Sequence, residues 1–278
     1  MHTLVSVIIA AYNEEANIAR LLNSVTGQNY QDIEILVIDD SSTDRTAEIA
    51  KKYTSHVFIR PHAERSAQRN FGASQAKGEY LFFLDADMKL TPQVISSCID
   101  LARSYKFDAL IIPEKSFGEN YWARCKALER NCYIGDPQIE APRFIRSRAF
   151  TQIKGYDFEM ISGEDWDLHR RLLAKKFRIG RTPELILHNE GSLSYFKVLQ
   201  KKFYYAQKSD QYISKNISGL KDVIRFIVRP SIFKNWRLLL SDPFHIPGLI
   251  LLVWGEILVG GLGAIIFKPV FLKRILLN

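Results

Sequence analysis

The sequence lacks the phosphate-binding motifs that most often follow the first strand of an α/β protein. Its 278 residues contain no Gly-x-Gly-x-x-Gly after the first predicted strand and no Gly-x-x-x-x-Gly-Lys-[Ser/Thr]. These absences argue against a dinucleotide cofactor and against a P-loop nucleotide triphosphatase. A Gly-x-Ser-x-Gly elbow and a His-Glu-x-x-His pair are also missing, so neither of those hydrolytic sites is expected.

Cysteine is scarce, with three residues at Cys98, Cys125 and Cys132. Their spacing fits no metal-ligand pattern, and an odd number in so long a chain does not suggest a disulfide framework. We therefore expect a reducing, cytosolic setting. No secretory signal is visible, because an apolar strand-like run begins at Val5.

Acidic residues are almost missing from one stretch of the chain. Residues 197–237 hold ten Lys and Arg and only Asp210 and Asp222, whereas the remainder balances 28 basic against 28 acidic residues. The whole excess of +8 therefore belongs to this basic segment. It predicts an anionic partner, which could be a lipid surface, a phosphate-bearing substrate or nucleic acid.

Short apolar runs alternate with amphipathic patterns in the first 190 residues. Strands are predicted at 5–11, 34–38, 57–59, 79–84, 108–112, 143–146 and 184–187. Helices are predicted at 14–27, 45–53, 63–76, from Pro92 onward and at 166–176. This order predicts an α/β fold with an open, mostly parallel sheet flanked by helices. Residues 113–142 show no regular pattern and are predicted to be irregular.

Acidic residues follow several predicted strands, at the edge where such sheets bind ligands. Asp85-Ala86-Asp87 ends an apolar run, and two carboxylates there could hold a hard divalent cation. Such a cation would neutralise a diphosphate leaving group. A bare Asp-x-Asp is more often a solvated strand exit, so the motif needs support from the rest of the chain.

That support comes from six pieces in a fixed order. They are residues 5–15 (VSVIIAAYNEE), 37–46 (VIDDSSTDRT), 69–72 (RNFG), 78–87 (GEYLFFLDAD), 155–157 (GYD) and 163–165 (GED). Together they resemble the family 2 glycosyltransferases of the GT-A fold, of the membrane-associated type, over roughly residues 3–190. The resemblance implies a GT-A domain, a mixed, mostly parallel sheet, followed by a C-terminal helical membrane-associating extension.

The resemblance also implies a nucleotide-sugar site, made of Ala10, Tyr12, Glu14, Asp40, Arg69, Asp85 and Ala86. Asp40 looks like the acceptor for the base, Tyr12 like its packing neighbour and Glu14 like a ribose acceptor. Arg69 would face the base or the diphosphate. Each has a plainer alternative: Asp40 and Asp44 could begin a turn and a helix, Tyr12 could be core, and Arg69 could be solvated.

Metal ligands are implied at Asp87, Asp85 and His188, for Mn²⁺ or Mg²⁺. Asp87 would be the principal ligand and His188, at the end of a strand, a third one. The alternative for His188 is an ordinary hydrogen-bonded histidine.

Asp165 is the implied catalytic base and Glu164 its neighbour in the acceptor site. A carboxylate there can take the proton of an attacking hydroxyl, which gives inversion. The alternative is structural, because Ser162-Gly163-Glu164-Asp165 also fits a capping box. The acid pair favours a hydroxyl acceptor over a polyprenyl phosphate, which is already anionic.

The C-terminal third predicts membrane association. We expect a catalytic domain at 1–195, a basic aromatic amphipathic segment at 196–245 and an apolar membrane segment at 246–278. Residues 246–267 would span about 33 Å as a helix, enough for a bilayer core. They contain Glu256, which is costly at mid-membrane, so both a span and an interfacial helix stay open. The basic segment could instead be an ordinary helix pair that covers the catalytic domain.

The sequence thus predicts an inverting, metal-dependent glycosyltransferase. It would move a sugar from a nucleotide diphosphate sugar, UDP before GDP, to a hydroxyl of a membrane-associated glycan or lipid-linked acceptor. We expect it at the cell membrane with its catalytic domain on the cytoplasmic side, and the C-terminal segment is a candidate homo-oligomer contact. The alternatives are a polyprenyl-phosphate sugar transferase and a silent nucleotide-sugar-binding subunit. A nucleic-acid-binding protein is disfavoured because the basic segment adjoins an apolar tail.

Overall fold

The computed structural model describes residues 3–137, 139–160, 162–207 and 229–267, with side chains to residue 260. Parts of the predicted basic segment and apolar tail, at 208–228 and 268–278, lie outside the described residues. The chain divides into two compact units. The sheet unit comprises Met1–Lys115, Pro137–Phe158 and Glu164–His188, and the helical unit comprises Ser116–Asp136, Glu159–Gly163 and Asn189–Asn278.

Ten strands occur in the described residues. They are β1 (Val5–Ala11), β2 (Ile33–Asp39), β3 (Val57–Ile59), β4 (Tyr80–Asp85), β5 (Met88–Leu90), β6 (Ala109–Ile111), β7 (Glu114–Phe117), β8 (Phe144–Arg146), β9 (Ile179–Arg181) and β10 (Ile186–Asn189). Seven of them form the main sheet in the order β3-β2-β1-β4-β8-β6-β9, and β5-β10-β7 form a small second sheet.

The helices that cover the main sheet are α1 (Ile18–Thr26), α2 (Thr46–Ala50), α3 (Arg65–Gln75), α4 (Val94–Tyr105), α6 (Ser147–Gln152) and α7 (Glu164–Ala174), and α5 (Tyr121–Asn131) lies between α4 and α6 in the chain. Of the five predicted helices, α2, α3, α4 and α7 begin within two residues of the predicted positions and α1 begins four residues later, whereas α6 was not predicted. In the main sheet as described, β1 runs parallel to β2 and β4, and β8 is antiparallel to its neighbours β4 and β6. The predicted open, mixed and mostly parallel sheet flanked by helices is therefore confirmed.

The strand β1 is apolar on both faces because both faces of the sheet are covered. Val7 and Ile9 pack with α1 and α4 in one core cluster. Ile8 points the other way and packs with Phe83 and α7 in a second cluster. Alternate side chains of one strand thus serve two layers, and the strand ends are held at a fixed edge of the sheet.

Residues 113–142 were expected to be irregular, and this was wrong. They contain β7 and the three-turn helix α5, whose start is capped by Asn120 accepting from the Ala123 amide. The face of α5 that is buried includes Ala127 and Leu128 but also the charged residue Glu129. Because a charged residue occupies a buried position, the apolar periodicity that announces a helix is broken.

The helical unit is built from α5, α8 (Tyr195–Gln207), α9 (Pro230–Lys234), α10 (Trp236–Ser241), a 3₁₀ turn at Pro243–His245 and α11 (Ile246–Phe267). Its core joins Leu128 of α5, Ile232 of α9 and Leu249 of α11. Within the described residues, one helix is long and apolar enough, by length and composition, to cross a membrane. The apolar stretch that meets this condition is Pro243–Gly260, of which 33% is buried.

Candidate active site

The acidic strand ends meet at one edge of the main sheet. In the register, Ala10 of β1 pairs with Asp85 of β4, and Ala11 pairs with Asp39 of β2. The loops that follow these strands therefore emerge side by side. Ala86 is buried in the core beneath this edge, so the strand end that carries Asp85 is anchored from below.

Asp40 forms a buried acceptor at one end of this edge. Its Oδ1 accepts from the backbone amide of Ala63 at 2.8 Å and from the side-chain amide of Gln68. Its Oδ2 lies 2.7 Å from Nδ1 of His62. The half-exposed ring of Tyr12 lies 4.9 Å from the His62 ring, so Tyr12 is not core. A carboxylate next to exposed flat rings suits a heterocycle that carries an N–H.

The loops after β1 and β2 are tied to each other. Asp44 accepts from both the amide and the hydroxyl of Thr46, the first residue of α2, at 3.0 and 2.5 Å. The Thr46 hydroxyl also accepts from the Glu14 amide at 2.7 Å. Asp44 thus ties the loop to the first residue of α2, as the structural alternative expected. Asn13, at φ 53°, is left-handed and its side chain accepts from the Thr43 amide at 2.8 Å.

Glu14 lies in the acidic part of the edge. Its side chain accepts from Asn17 Nδ2 at 2.7 Å. Burial, and then the charges of Asp87, Asp85 and Asp44, raise the pKa of Glu14, although the bond from Asn17 opposes the rise. Repulsion between these acids means that a cation at this edge would be stabilised.

Arg69 joins acids from two regions of the chain, the end of β4 and the start of α7. Its guanidinium is 1% exposed and donates to Asp85 Oδ1 at 2.7 Å and to Asp165 Oδ1 at 3.0 Å. Glu164 Oε1 lies 3.5 Å from the same guanidinium. The Tyr156 ring lies 5.3 Å from its central carbon. The alternative that Arg69 is a solvated helix residue is therefore wrong, and Arg69 is the cation that links Asp85 to the implied base.

Asp85 is held between two arginines. Its second oxygen accepts from Arg143 Nη2 at 3.2 Å, and Arg143 also pairs with Glu114. Burial would raise the pKa of Asp85, but Arg69, Arg143 and Arg65 outweigh it and hold that pKa well below its usual range. Both oxygens of Asp85 are occupied by these bonds.

Glu164 and Asp165 lie in the first turn of α7, and their surroundings differ. Glu164 is buried, and its burial, together with the charge of Asp165, raises its pKa in spite of Arg65 and Arg69. The Asp165 side chain is 31% exposed. Asp165 is thus the acid of this pair that a substrate can reach from solvent, while Glu164 lies behind it.

Asp87 lies beside His188, and both could contribute to a metal site. Its Oδ2 lies 3.1 Å from His188 Nε2, and His188 Nδ1 lies 3.5 Å from Glu114 Oε2. Its Oδ1 is buried and has no hydrogen-bond partner among the described residues. Among the described residues, no group of three or more His, Cys, Asp or Glu side chains is placed so that it could hold a metal ion by itself. Asp87 and His188 fit a divalent cation whose other ligands are phosphate oxygens and water.

Several residues of the site carried no signal in the sequence. They are His62, Arg65, Gln68, Glu114 and Arg143, each of which touches an implied site residue. Arg143 was predicted only as the start of a strand. Its partner Asp85 is 58 positions away, so only the pairing of β4 with β8 brings them together.

Comparison with known proteins identifies related chains. Residues 6–157 match the family described as Glycosyl transferase family 2. The β-monoglucosyldiacylglycerol synthase of Nostoc sp. is 28% identical over 63% of this chain and 42% of its own. The UDP-Glc:alpha-D-GlcNAc-diphosphoundecaprenol beta-1,3-glucosyltransferase WfaP of Escherichia coli is 29% identical over 64% of this chain and 74% of its own. The chain spans less than half the length of the first curated relatives that it matches.

Solved structures share the fold. Staphylococcus aureus TarS 1–349 with UDP-GlcNAc has a TM-score of 0.54 at 20% identity, over 74% of this chain and 66% of that one. The mannosyltransferase PcManGT of Pyrobaculum calidifontis with GDP-Man and Mn²⁺ has a TM-score of 0.57 at 14% identity, over 99% of this chain and 84% of that one. The predicted GT-A fold is confirmed.

Proposed function

Because the chain belongs to glycosyltransferase family 2, we propose that it is an inverting, metal-dependent glycosyltransferase. It moves a sugar from a nucleotide diphosphate sugar to a hydroxyl of a membrane-associated glycan or lipid-linked acceptor. The observation that carries this proposal is the bridge through Arg69, which joins Asp85, at 2.7 Å, to the solvent-accessible Asp165, at 3.0 Å. An acid is thereby positioned beside the strand end where a donor would bind.

The nucleotide lies at Asp40 in this proposal. The carboxylate accepts the ring N–H of the base, and Tyr12 and His62 offer rings beside it. Uracil and guanine both carry such an N–H, and we place UDP before GDP. The neighbouring structures hold UDP-GlcNAc in one case and GDP-Man in the other, so the fold accommodates both nucleotides. Glu14 feels the charges of Asp87, Asp85 and Asp44, and a ribose hydroxyl would donate to it.

Asp87 and His188 would hold the divalent cation, Mn²⁺ or Mg²⁺. When bound, the cation neutralises the charge that develops on the departing diphosphate. Asp85 has a further role beside the one that the resemblance implied, because Arg69 and Arg143 each donate to one of its oxygens. It fixes Arg69, and Arg69 in turn fixes Asp165.

Asp165 acts as the general base. The acceptor oxygen forms a bond to the anomeric carbon, the bond from that carbon to the diphosphate oxygen breaks, and the hydroxyl proton passes to Asp165. Attack from the face opposite the leaving group inverts the configuration. Buried Glu164 lies behind Asp165 on the acceptor side and keeps Arg65 and Arg69 in place. The base favours a hydroxyl acceptor, since a phosphate acceptor is already ionised.

The place of action is the cytoplasmic side of the cell membrane. The three cysteines are buried, free thiols, which suits a reducing compartment. An apolar helix, α11, lies in the helical unit, and one relative is named for a diphosphoundecaprenol-linked acceptor. These observations support a membrane-bound acceptor.

A donor screen tests the proposal. The full chain, in detergent with Mn²⁺ or Mg²⁺, is given UDP- and GDP-sugars with lipid extracts that contain hydroxyl or phosphate acceptors, and nucleoside diphosphate release is followed. Asp165→Asn should lower kcat by about 10²–10⁴-fold, and Asp87→Ala should abolish stimulation by the metal. Asp100→Asn, on the exposed face of α4, is the matched control.

Turnover with phosphate lipids alone would favour the polyprenyl-phosphate reaction, and donor binding without any turnover would favour a silent subunit.

A further inference from the structure

The apolar helix α11 has two apolar faces in different surroundings. One face is buried within the helical unit and consists of Gly248, Leu249, Leu252, Gly255 and Glu256. The other face is about half exposed or more and consists of Ile250, Leu251, Trp254 and Leu258. The two sets repeat every three to four residues on opposite sides of the helix. Within the described residues, one side of α11 is therefore covered and the other is exposed.

The buried face contains the charge that made this helix an unusual membrane span. Glu256 is 3% exposed, and its two oxygens lie 2.6 Å from Lys126 Nζ and 2.8 Å from Arg229 Nη2. Lys126 also pairs with Glu129 at 2.8 Å. Glu256 thus faces the protein and is neutralised there, so it does not prevent the other face from entering lipid.

The helices α5 and α8 lie along the buried face. A Cβ on Gly248 would meet Tyr121 and Cys125 of α5, and a Cβ on Gly255 would meet Tyr195 of α8. At 11 and 13 residues, these helices are about 16 and 20 Å long. If α11 crossed a bilayer, they would be drawn into the hydrocarbon with it. Their exposed charges, such as Arg124 and Lys197, would then each cost several kcal/mol.

Exposed apolar groups also flank the start of α11. In α9, α10 and the 3₁₀ turn, the exposed side chains include Phe233, Trp236, Leu240 and Phe244. Ile232 and Leu238 anchor these short helices in the same cluster as Leu249 of α11. The exposed cations Lys234 and Arg237 stand among the rings, and the Arg237 guanidinium lies 5.5 Å from the Trp236 ring. Rings and long cationic side chains in alternation are typical of a lipid interface.

We propose that the helical unit binds an anionic lipid bilayer surface with α11 lying in the interface plane and not across the membrane. The face with Leu251 and Trp254 enters the acyl boundary, and Lys234 and Arg237 meet the headgroups. A second copy of this chain fits the face less well, because its own cations would confront those of the first. This inference rests on the proposed function only for the membrane location of the acceptor; the orientation follows from α11 and its neighbours.

Vesicle flotation of the full chain tests the binding. Binding is compared on phosphatidylcholine vesicles and on vesicles with added phosphatidylglycerol, and we expect it to need the anionic lipid. The double variant Leu251→Glu, Trp254→Glu should lower the vesicle partition coefficient about tenfold or more. Tyr105→Glu changes an equally exposed ring on α4 of the sheet unit and should leave it unchanged. Equal binding by the double variant and the wild type would overturn the proposal, as would a stable dimer that binds no vesicles.

The orientation is tested by labelling in inverted membrane vesicles from an expression host. The native cysteines are buried, so Ser241→Cys and Asn278→Cys, one on each side of α11, can be labelled separately with a membrane-impermeant maleimide. An in-plane helix leaves both positions equally reactive from one side. Protection of one position until detergent is added would show a spanning helix and overturn the proposal. Donor turnover in detergent is measured beside both tests, so a failure of the proposed enzyme activity is distinguished from a failure of membrane binding.

Discussion

The ionisation of Asp85 controls the electrostatics of the site. Burial disfavours the charged form of its carboxylate, yet Arg69 and Arg143 keep its pKa well below the ordinary value. A carboxyl whose pKa is depressed on folding stabilises the protein above its unfolded pKa of about 3.9. That contribution is lost as the pH falls through the folded pKa. Asp85 is therefore charged throughout the neutral range, and its charge is available to hold Arg69.

Arg143→Leu should destabilise the protein at neutral pH. The change removes the cation that Asp85 Oδ2 and Glu114 share, and breaking a buried pair in this way costs about 3 kcal/mol or more. Urea unfolding measures the loss, which should be constant between pH 6 and 8. It should shrink as the pH falls below the unfolded pKa of about 3.9 towards the depressed pKa of folded Asp85, because protonated Asp85 gains nothing from the cation.

The control is Arg148→Leu, which removes a largely exposed arginine paired with Asp108 at 3.2 Å. An exposed pair contributes about 1 kcal/mol or less, so this variant should unfold almost as the wild type does. If Arg148→Leu and Arg143→Leu lower the free energy of unfolding equally, or if the Arg143→Leu loss does not shrink between pH 7 and about pH 3, the account of Asp85 is wrong.

At the residue scale, the sequence identifies the acids better than the cations that hold them. Asp85 and Asp165 each belong to a short recognisable motif, and so does Arg69. Arg143 and Glu114 belong to none, because their importance depends on the antiparallel pairing of β8 with β4 and on the position of β7. Such pairings are long-range and are decided by the packed fold rather than by local pattern.

The helix α3 is the element that places the site's cation. It carries Gln68, which bonds Asp40, and Arg69, which bonds Asp85 and Asp165. One turn later Gly72 faces the sheet, and a Cβ there would lie 2.5 Å from Ile8 Cγ2 and 3.2 Å from Ile38 Cγ1. The missing side chain lets α3 approach β1 and β2 closely. The distance between helix and sheet thus fixes the reach of Arg69.

Gly72→Ala tests this dependence. In an exposed helix the change would stabilise by about 1 kcal/mol, but overpacking here should destabilise by about 1–3 kcal/mol. Urea unfolding gives the sign. Because α3 must shift, we also expect a higher KM for the donor. Gln75→Ala, at an exposed position of the same helix, should change neither quantity by much; a stabilised Gly72→Ala enzyme with unchanged KM would contradict this role of α3.

Helices and strands whose buried faces are entirely apolar could be predicted from the sequence. The helix α5, whose buried face includes a charged residue, could not. The runs that became β1 and β4 are apolar on both faces because helices cover both faces of the sheet. In α5, Ala127 and Leu128 share the buried side with Glu129. A charged residue at such a position is tolerated only because a partner neutralises it, and that partner is not visible in the local pattern.

At the scale of the whole chain, charges far apart in sequence hold the helical unit together. Lys126 and Glu129 come from α5, Arg229 precedes α9, and Glu256 lies in α11, with Lys126 and Glu256 130 positions apart. Burial would raise the pKa of Glu129, but Lys126 and Arg229 outweigh it and lower that pKa to about 2. Glu129 and Glu256 are both shared between the same two cations. A single acid in an apolar segment is thus a sequence signal for buried cations elsewhere, although the sequence cannot say which ones.

Removing Glu256 alone should therefore lower the free energy of unfolding more than removing Glu256 together with one of its cationic partners. Glu256→Leu leaves two cations against one acid in a buried site, and we expect a loss of about 3–5 kcal/mol in detergent. The double variant Glu256→Leu, Arg229→Leu leaves the Lys126–Glu129 pair, at 2.8 Å, balanced. It should recover a substantial part of that loss, with a coupling energy of about 1–3 kcal/mol in a double-mutant cycle. Urea unfolding of the full chain measures each corner of the cycle. Additive losses would mean that Glu256 and Arg229 act independently, and α11 would then be held by its apolar contacts with α5 and α8 alone.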